Sequence, residues 1–510
     1  MLGKEGVDDV FKLLNFDCVA IIFRNLSPID IIRCGQASRT LREWSLWFMS
    51  SDGLRRRHFP YFTDEDSLGN DTLSPIERYT RFTQIQGSFR KGKPSSVVKF
   101  VAAKALKTRG NYSAWIFGSW VCYHQLRNRP GDKFCCQIQP LRKFPLPVFP
   151  PSRRYAPYAP HFIDVNAEGY LFVRVGIEEW CSRRIKSNHD MIFSPEHTKL
   201  LWHHYRALHG LPELQPLHIG RQRVYYVTMF SKPELIAYDI RTGRQLYRST
   251  LPEKVNNKSH YPQFYLIFDM DSEFLAYVSR DLSLSSQFIY VVLVSGADGR
   301  VSQEIEVSDV SWTLEFKEQP DLTAFALERR KQSIANAKYD LIIFEKYALQ
   351  PDGLFAMTSR HSFLLDIIAS PDRTFIYVDP FRLLAFAMID ATSDFTIPRV
   401  LEPRKLSDTN ILSEVEAALR EKGPDERIDN WFTLSASSYI TLPPKAAGSK
   451  TRRPLKVRGI DTHLASKVSF WGERGILFHV SCFRPGNSDA RYALDFTPNT
   501  YQHEKRGESS

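Results

Sequence analysis

The chain has 510 residues, of which 43% are hydrophobic, so it has enough apolar side chains for a large core and is not a disordered chain. Its 68 Lys and Arg against 57 Asp and Glu give a net charge of +11, which is spread along the sequence and does not indicate a nucleic-acid partner. The seven cysteines show no CxxC pair and no zinc-ligand spacing, which predicts buried thiols in a reducing compartment.

The amino-terminal stretch does not resemble a targeting signal. Charged residues such as Lys12 and Asp17 interrupt it, and no apolar run reaches the roughly 18 residues that a membrane-spanning helix needs. We therefore expect a cytoplasmic and/or nuclear protein that does not contact a membrane.

Residues 14–50 predict three short helices. The sequence SPID at 27–30 places a cap hydroxyl, a proline and a carboxylate where a helix begins, and Gly35 is expected to end that helix. Asn15 and Ser38 are expected to cap the helices before and after it. Three helices this short carry more apolar surface than they can bury among themselves, so we expect an exposed apolar ridge.

The segment 14–44 resembles an F-box, in particular that of fungal-type F-box proteins. It carries the apolar ridge, the Ser-Pro-x-Asp start and the later Arg-Cys-x-Gln-x-Ser-Arg of that family, and departs at Asn15 (usually proline) and Leu41 (usually tryptophan). The resemblance implies an F-box domain at 10–60 that docks on the S-phase-kinase-associated linker protein, and through it on the cullin and RING subunits of a ubiquitin ligase. The docking residues that it implies are Leu14, Val19, Ile22, Phe23, Leu26, Pro28, Ile31, Ile32, Ala37 and Leu41.

An alternative interpretation of the same residues is an ordinary helical cap, in which the ridge of residues 14–58 packs on the chain's own body. Beyond it, polar stretches rich in turn-forming residues predict a linker at 61–96 that contains a short helix near 76–86.

Residues 97–500 contain a repeat of about 50 residues. Five windows of fourteen residues each read as strand, polar break and strand, and their starts at 162, 214, 266, 314 and 365 lie 52, 52, 48 and 51 residues apart. A further strand and a glycine-containing turn follow several windows, which gives four strands per unit, as in a β-propeller blade. Weaker copies at 112–125 and 467–480, with an interrupted copy near 428–441, bring the prediction to six to eight blades.

The predicted fold is thus a small all-α F-box of three helices followed by a large all-β domain, a β-propeller. Its units lack the Gly-His and Trp-Asp dipeptides of WD repeats and are more similar to divergent, quinoprotein-like propellers. A β-sandwich or several smaller β domains is the alternative, which the regular spacing disfavours. Insertions are expected at 402–430, with a helical stretch, and at 443–458, a basic loop; residues 501–510 are expected to be a disordered tail.

The sequence offers little for chemistry. Its densest histidine group matches no standard zinc site, and no nucleophile-elbow, metallopeptidase or phosphate-loop motif occurs. We therefore predict a protein without catalytic activity, cofactor or metal. The histidines concerned are His203, His204, His209 and His218.

Two groups of basic residues could bind an acidic partner. One consists of arginines in predicted turns, Arg221, Arg223, Arg241 and Arg244, which could hold a phosphorylated or acidic peptide. The other is the basic loop, with Lys450, Arg452, Arg453, Lys456 and Arg458, which could also act as a nuclear import signal or be only a solvated insertion.

Together, a helical ridge that binds a ligase subunit and a β domain that presents loops predict a substrate receptor for an unidentified protein substrate. The reaction itself would belong to other subunits. The alternative is a cullin-free complex with the linker protein, in which the chain serves as a scaffold or trafficking factor.

Overall fold

A computed structural model gives the architecture of most of the chain. It describes residues 14–51, 74–101, 104–109, 112–117, 120–125, 159–178, 185–195, 199–207, 214–228, 233–252, 264–269, 272–283, 286–309, 313–318, 324–334, 338–366, 375–379, 384–392, 395–420, 431–443, 451–458, 467–471, 475–480 and 490–496. The expected tail at 501–510 lies outside these ranges.

Three helices open the fold: α1 (Phe16–Asn25), α2 (Pro28–Ala37) and α3 (Arg39–Ser50). The predicted caps are confirmed, because the side chains of Asn15, Ser27 and Ser38 each accept a hydrogen bond from a backbone N–H in the first turn. The predicted end of α2 at Gly35 is wrong: the helix continues to Ala37. Gly35 instead faces Ser45 of α3, whose buried hydroxyl donates to the Ile31 carbonyl at 3.1 Å.

A fourth helix, α4 (Pro75–Arg90), completes the helical unit. A capping box starts it, since Ser74 accepts from the Glu77 N–H while the Glu77 carboxylate accepts from the Ser74 N–H. Tyr79 and Phe82 of α4 lie in the same buried core as α1, α2 and α3. The short linker helix predicted near 76–86 is therefore longer than expected and is a structural part of the helical unit.

The β domain consists of seven groups of strands, which we call blades 1–7. The first strand is β1 (Ser96–Val101). Blade 1 consists of β2 (Lys104–Arg109), β3 (Tyr112–Phe117) and β4 (Trp120–Gln125), and blade 2 of β5 (Ala159–Val165), β6 (Leu171–Glu178), β7 (Ile185–Phe193) and β8 (Leu200–Ala207). Blade 3 consists of β9 (Leu214–Ile219), β10 (Arg223–Thr228), β11 (Glu234–Asp239) and β12 (Gln245–Thr250), and blade 4 of β13 (Phe264–Asp269), β14 (Ser272–Ser283), β15 (Ser286–Ser295) and β16 (Val301–Asp309).

Blade 5 consists of β17 (Thr313–Glu318), β18 (Ala324–Ile334), β19 (Tyr339–Leu349) and β20 (Phe355–Asp366), and blade 6 of β21 (Phe375–Asp379), β22 (Leu384–Thr392), β23 (Phe395–Lys405) and β24 (Trp431–Tyr439). Blade 7 contains β28 (Lys467–Trp471), β29 (Gly475–Val480) and β30 (Ala490–Asp495).

Three features make these blades a propeller. Each is an antiparallel meander, and the first strands of blades 1 to 5 contact one another in order, which places them around a common axis. Blades 1 to 6 also pack face to face through shared apolar cores. Finally, β1 pairs with β30 in register from Ser96 opposite Asp495 to Val101 opposite Ala490, so blade 7 joins the two ends of the β domain. The predicted β-propeller of six to eight blades is confirmed, with seven in the described residues.

Two of the predicted repeat copies were placed wrongly. The window at 365–378 begins in the last strand of blade 5 and ends in the first strand of blade 6, and the copy near 428–441 is the outer strand of blade 6. Blade 6 departs from the regular spacing because the strands of blade 5 are long, so that β21 begins only at Phe375. Its outer strand β24 also pairs in parallel with β20 of blade 5, opposite Ser362, Phe363 and Leu364.

A recurring hydrogen bond fastens the outer strands of successive blades. The Trp202 indole donates to the Ile240 carbonyl of blade 3 at 2.9 Å, and the Tyr247 hydroxyl donates to the Gly296 carbonyl of blade 4 at 3.0 Å. Gln303 then donates to the backbone of the first residue of β20 at 2.9 Å. Blades 2, 3 and 4 thus each hold the region of the last turn of the next blade.

Both predicted insertions lie against the propeller. The helical stretch is α5 (Thr409–Arg420), which packs on blade 5. The described part of the basic loop forms β26 (Arg453–Pro454), which pairs with β25 (Thr441–Leu442), and β27 (Val457–Arg458), which pairs with β23. No helix in the described ranges is long and apolar enough to cross a membrane.

Candidate docking site on the helical unit

The interior of the helical unit contains half of the predicted docking residues. Ile31 has none of its surface exposed, and the others are nearly as deeply buried against α4 side chains such as Tyr79. The prediction that these side chains face a partner is therefore corrected: they form the core that α1, α2 and α3 share with α4. The residues concerned are Val19, Phe23, Ile31, Ile32 and Leu41.

The remaining five predicted docking residues lie nearer the surface. Leu14, Leu26 and Pro28 are partly buried, and the first two pack against the same core. Ile22 has 40% of its surface exposed, and Ala37 is exposed at the end of α2. Of the predicted set, Ile22 is the large apolar side chain that stays available.

A different group of side chains forms the exposed apolar surface of the helical unit. Five of the eleven exposed large hydrophobic side chains in the described residues lie on α1, α2 and α3. This is a high concentration for a segment of 35 residues, and clustered exposed apolar side chains mark interaction sites. We call this group the apolar rim; its members are Phe16, Ile21, Ile22, Ile29 and Trp47.

The aromatic end of the apolar rim is an organised contact between α1 and α3. The ring of Phe16 meets that of Trp47 edge to face with 4.8 Å between centroids, and lies 5.7 Å from Trp44. Trp47 packs in the same way on the buried Phe48 at 4.7 Å, yet 51% of its own surface is exposed. An aromatic ring held on one face and open on the other is typical of an interface anchor.

The sequence shows the apolar residues of both the rim and the core, but their spacing alone does not tell the two groups apart. Val19, Ala20 and Phe23 of α1 share one helix face, which is the buried one. At about 100° per residue, Ile21 lies on the opposite side of α1, where an apolar side chain has no core to enter. The rim thus consists of apolar residues that lie outside the buried face of each helix. Identifying that face requires knowing where α4 packs.

The four candidate arginines lie on two neighbouring turns of blade 3 but are not all available. Arg221 forms an ion pair with Glu168 at 3.4 Å, and Arg223 with Glu273 at 3.5 Å. Arg241 and Arg244 are exposed on the turn between β11 and β12. The structure therefore brings the four side chains to one end of blade 3, with two of them engaged by carboxylates of the protein itself.

Glu273 has a structural role that explains this arrangement. Its buried carboxylate accepts hydrogen bonds from the backbone N–H groups of Arg221 at 2.6 Å and Gln222 at 3.1 Å, and from the Tyr225 hydroxyl. A residue of blade 4 thus fixes a turn of blade 3. Sequence reasoning missed it because the two lie about fifty residues apart.

The three candidate histidines that the structure describes do not assemble a metal site. His203 stacks on His189 of the adjacent strand, with 2.8 Å between Nε2 of His203 and Nδ1 of His189, whereas His218 contacts the Phe264 carbonyl at 2.6 Å. His204 packs instead on Trp202, and His209 lies outside the described residues. Among the side chains that the structure describes, no group of three or more possible ligands could hold a metal ion.

The fold and this site define an all-β propeller with an amino-terminal helical unit that carries an exposed apolar surface. No protein-family model and no curated protein matches the sequence. Solved structures similar to 79% of this chain include the WD40 domain of SCAP from fission yeast (8% identity, 97% of that chain, TM-score 0.34), the Dos1 propeller (10%, 96%, 0.35) and the β-propeller domain of the trilobed protease from Pyrococcus furiosus (6%, 97%, 0.35). The assignment of the propeller rests on its own strand order, packing and closure.

Proposed function

We propose that this chain is a non-catalytic adaptor of an SCF-type ubiquitin ligase. In this proposal the helical unit docks on the S-phase-kinase-associated linker protein, which connects it to the cullin and RING subunits. The propeller recruits a protein substrate. Other subunits perform ubiquitin transfer, and the adaptor contributes by raising the effective concentration of a substrate lysine at the conjugating enzyme.

The observation that carries the proposal is the apolar rim, located on the same three helices that resemble an F-box. The capped starts of α1, α2 and α3 and the Ser-Pro-x-Asp motif are the features of that resemblance. A helical partner that covers the rim would remove Ile22, Ile29 and Trp47 from water. Because these side chains are 40–51% exposed, each would contribute about half of the roughly 1.5–3 kcal/mol of complete burial. Because Ile31 and its neighbours are buried, docking in this proposal uses the apolar rim and not those side chains.

Co-purification of the full chain with the linker protein tests the docking step. We expect the double variant Ile22→Glu/Ile29→Glu to lose the complex, since charge on two rim positions lowers affinity on the order of a hundredfold. Leu246→Glu is the matched control, because Leu246 is also exposed but lies on blade 3. Ile31 is unsuitable for this test, since a charge there would disrupt the core.

Three results would separate the alternatives. Equal capture of the double variant and the wild type would remove the support for rim docking. Capture of the linker protein without cullin and RING subunits would favour the cullin-free scaffold. Recovery of all three subunits with the wild type, and of none with the double variant, is the result that the proposal predicts.

A further inference from the structure

Two segments that are distant in sequence contain several basic residues and no acidic residue. Residues 87–109 and 431–458 contain thirteen of the 68 Lys and Arg and none of the 57 Asp and Glu, so the rest of the chain has 55 basic and 57 acidic residues. These two segments therefore carry thirteen positive charges, with no acidic residue within either of them.

The fold brings the two segments into direct contact where α4 ends. The Thr441 N–H donates to the Gly92 carbonyl at 2.9 Å, and the Arg452 guanidinium donates to the Pro94 carbonyl at 3.0 Å. Gly92 has a φ of +58°, and a Cβ atom there would lie 2.7 Å from the Tyr439 carbonyl oxygen. Glycine thus permits both the turn after α4 and its close approach to blade 6.

The cations at this junction point outward. Arg90 at the end of α4, Lys91 and Lys93 after it, and Arg453 on β26 are all exposed. None of the four forms an ion pair with another described residue. Like charges held together without acidic neighbours repel one another and destabilise the folded chain. An anionic partner would turn this repulsion into attraction.

We propose that the exposed cations of 90–93 and 452–456 form one docking surface, the junction patch, for an acidic or phosphorylated segment of a partner protein. The proposal deepens the proposed function, on which it rests for the choice of a protein as the occupant. Carboxylate and phosphate groups are the natural ligands of exposed Arg and Lys. The patch is separate from the arginines of blade 3, two of which are engaged by Glu168 and Glu273.

The surroundings of the patch favour a peptide over a nucleic acid. Proteins that bind single strands stack bases on open aromatic rings, and duplex-binding modules bury about 600 Å² or more. The exposed ring at this place, Tyr439, is already covered on one face by the Arg399 guanidinium, 3.9 Å from its centroid. The ring is therefore a poor platform for a base.

The surroundings also favour a peptide over a membrane surface. Segments that bind membranes combine cations with large apolar side chains that enter the lipid. The exposed residues of 90–93 and 451–456 are cations, Thr451 and Pro454. A short extended segment with several carboxylates or phosphates, at about 3.3 Å per residue, can instead place one group near each cation.

Fluorescence anisotropy of a labelled octaglutamate peptide with the full chain tests the patch. The variant Lys91→Gln/Lys93→Gln/Arg453→Gln removes three charges, and we expect it to weaken binding about tenfold, since each exposed charge pair contributes modestly. The matched control, Lys199→Gln/Arg300→Gln/Lys338→Gln, removes three exposed charges from blades 2, 4 and 5 and should leave binding unchanged. Binding should also weaken as salt is raised.

Defined results would overturn the inference. They are an unchanged affinity in the patch variant, an equal loss in the control variant, or tighter binding of a single-stranded oligonucleotide or of phosphatidylserine vesicles with the same dependence on Lys91, Lys93 and Arg453. Binding of the linker protein is measured on the same samples. Loss of peptide binding with an intact linker complex is expected for the patch variant, whereas a wild-type chain that binds the peptide but not the linker would refute the proposed function alone.

Discussion

A buried ion-pair triad in blade 2 allows a quantitative test of how the propeller is stabilised. Asp190, on β7, has no exposed surface, and its carboxylate accepts two hydrogen bonds from Arg174 at 2.6 and 2.8 Å and one from Arg206 at 3.0 Å. Arg174, only 2% exposed, also donates to the Leu214 carbonyl of blade 3 at 2.7 Å. The triad therefore fixes blade 2 internally and to its neighbour.

We expect Asp190→Asn to lower the free energy of unfolding by about 3–5 kcal/mol, because it leaves the buried Arg174 guanidinium without a counter-charge. The control is Glu234→Gln, which removes the carboxylate of the exposed Arg248 pair. That change should cost no more than about 1 kcal/mol. The larger loss of unfolding free energy for Asp190→Asn than for Glu234→Gln is the effect expected of a buried ion pair compared with an exposed one.

Equilibrium urea denaturation, followed by circular dichroism, measures both variants. Replacing both charged partners, as in Arg174→Met/Asp190→Leu, should recover part of the loss, since no unpaired charge then remains between these two positions. A cost below about 1 kcal/mol for Asp190→Asn, or a double variant that is less stable than the single one, would refute the reasoning.

The same triad predicts a dependence on acid. Burial by itself raises the pKa of the Asp190 carboxyl, but the hydrogen bonds and charges of Arg174 and Arg206 outweigh it and hold the pKa below its ordinary value. The triad therefore stabilises the fold fully above about pH 4, the unfolded pKa of Asp, and loses that contribution as the pH falls further. Asp190→Asn should show less of this acid loss than the wild type.

Three further predictions follow from other contacts. Tyr247→Phe removes the hydrogen bond to the Gly296 carbonyl and should cost about 1 kcal/mol in urea denaturation, with a larger loss if that carbonyl stays dry. Burial and the neighbouring His203 lower the pKa of His189 to about 4, so stability should fall as the pH drops from about 6.5 to 4 and His189→Gln should flatten that fall. Phe89→Ala should cost about 3 kcal/mol and increase proteolytic cleavage after α4 in a timed digest, because it removes a buried ring at the junction with the propeller.

The sequence identified local features of this fold more reliably than distant ones. The caps at Asn15, Ser27 and Ser38 were predictable because each cap bonds to a backbone N–H only three residues away. The type of fold was predictable because the four-stranded blades are meanders, and the pattern of strands and turns therefore recurs along the sequence at a regular spacing. The two misplaced copies both concern blade 6, where the long strands of blade 5 delay the start of β21 and the α5 insertion separates β23 from β24.

Distant partners were not predictable for a physical reason. The pattern SVVKFV of β1 indicates a strand, but nothing in it indicates that its partner is β30, nearly four hundred residues later. The same limit affected the docking residues. The spacing of Val19 and Phe23 predicts one apolar helix face, and only the position of α4 decides that this face is buried while Ile21 remains outside.

The position of α4 also determines whether the two ends of the chain can work together. Its first half places Tyr79 in the core of the helical unit, and its last turn stacks Phe89 on Phe496 of the propeller with 4.1 Å between ring centroids. A helix of 16 residues spans about 24 Å, so it sets a nearly fixed distance between the apolar rim and the junction patch. A flexible linker would let a bound substrate explore a large volume, whereas a helix packed at both ends confines it. In the proposed adaptor, the effective concentration of substrate at the ligase therefore depends on the packing of α4 rather than on the length of a tether.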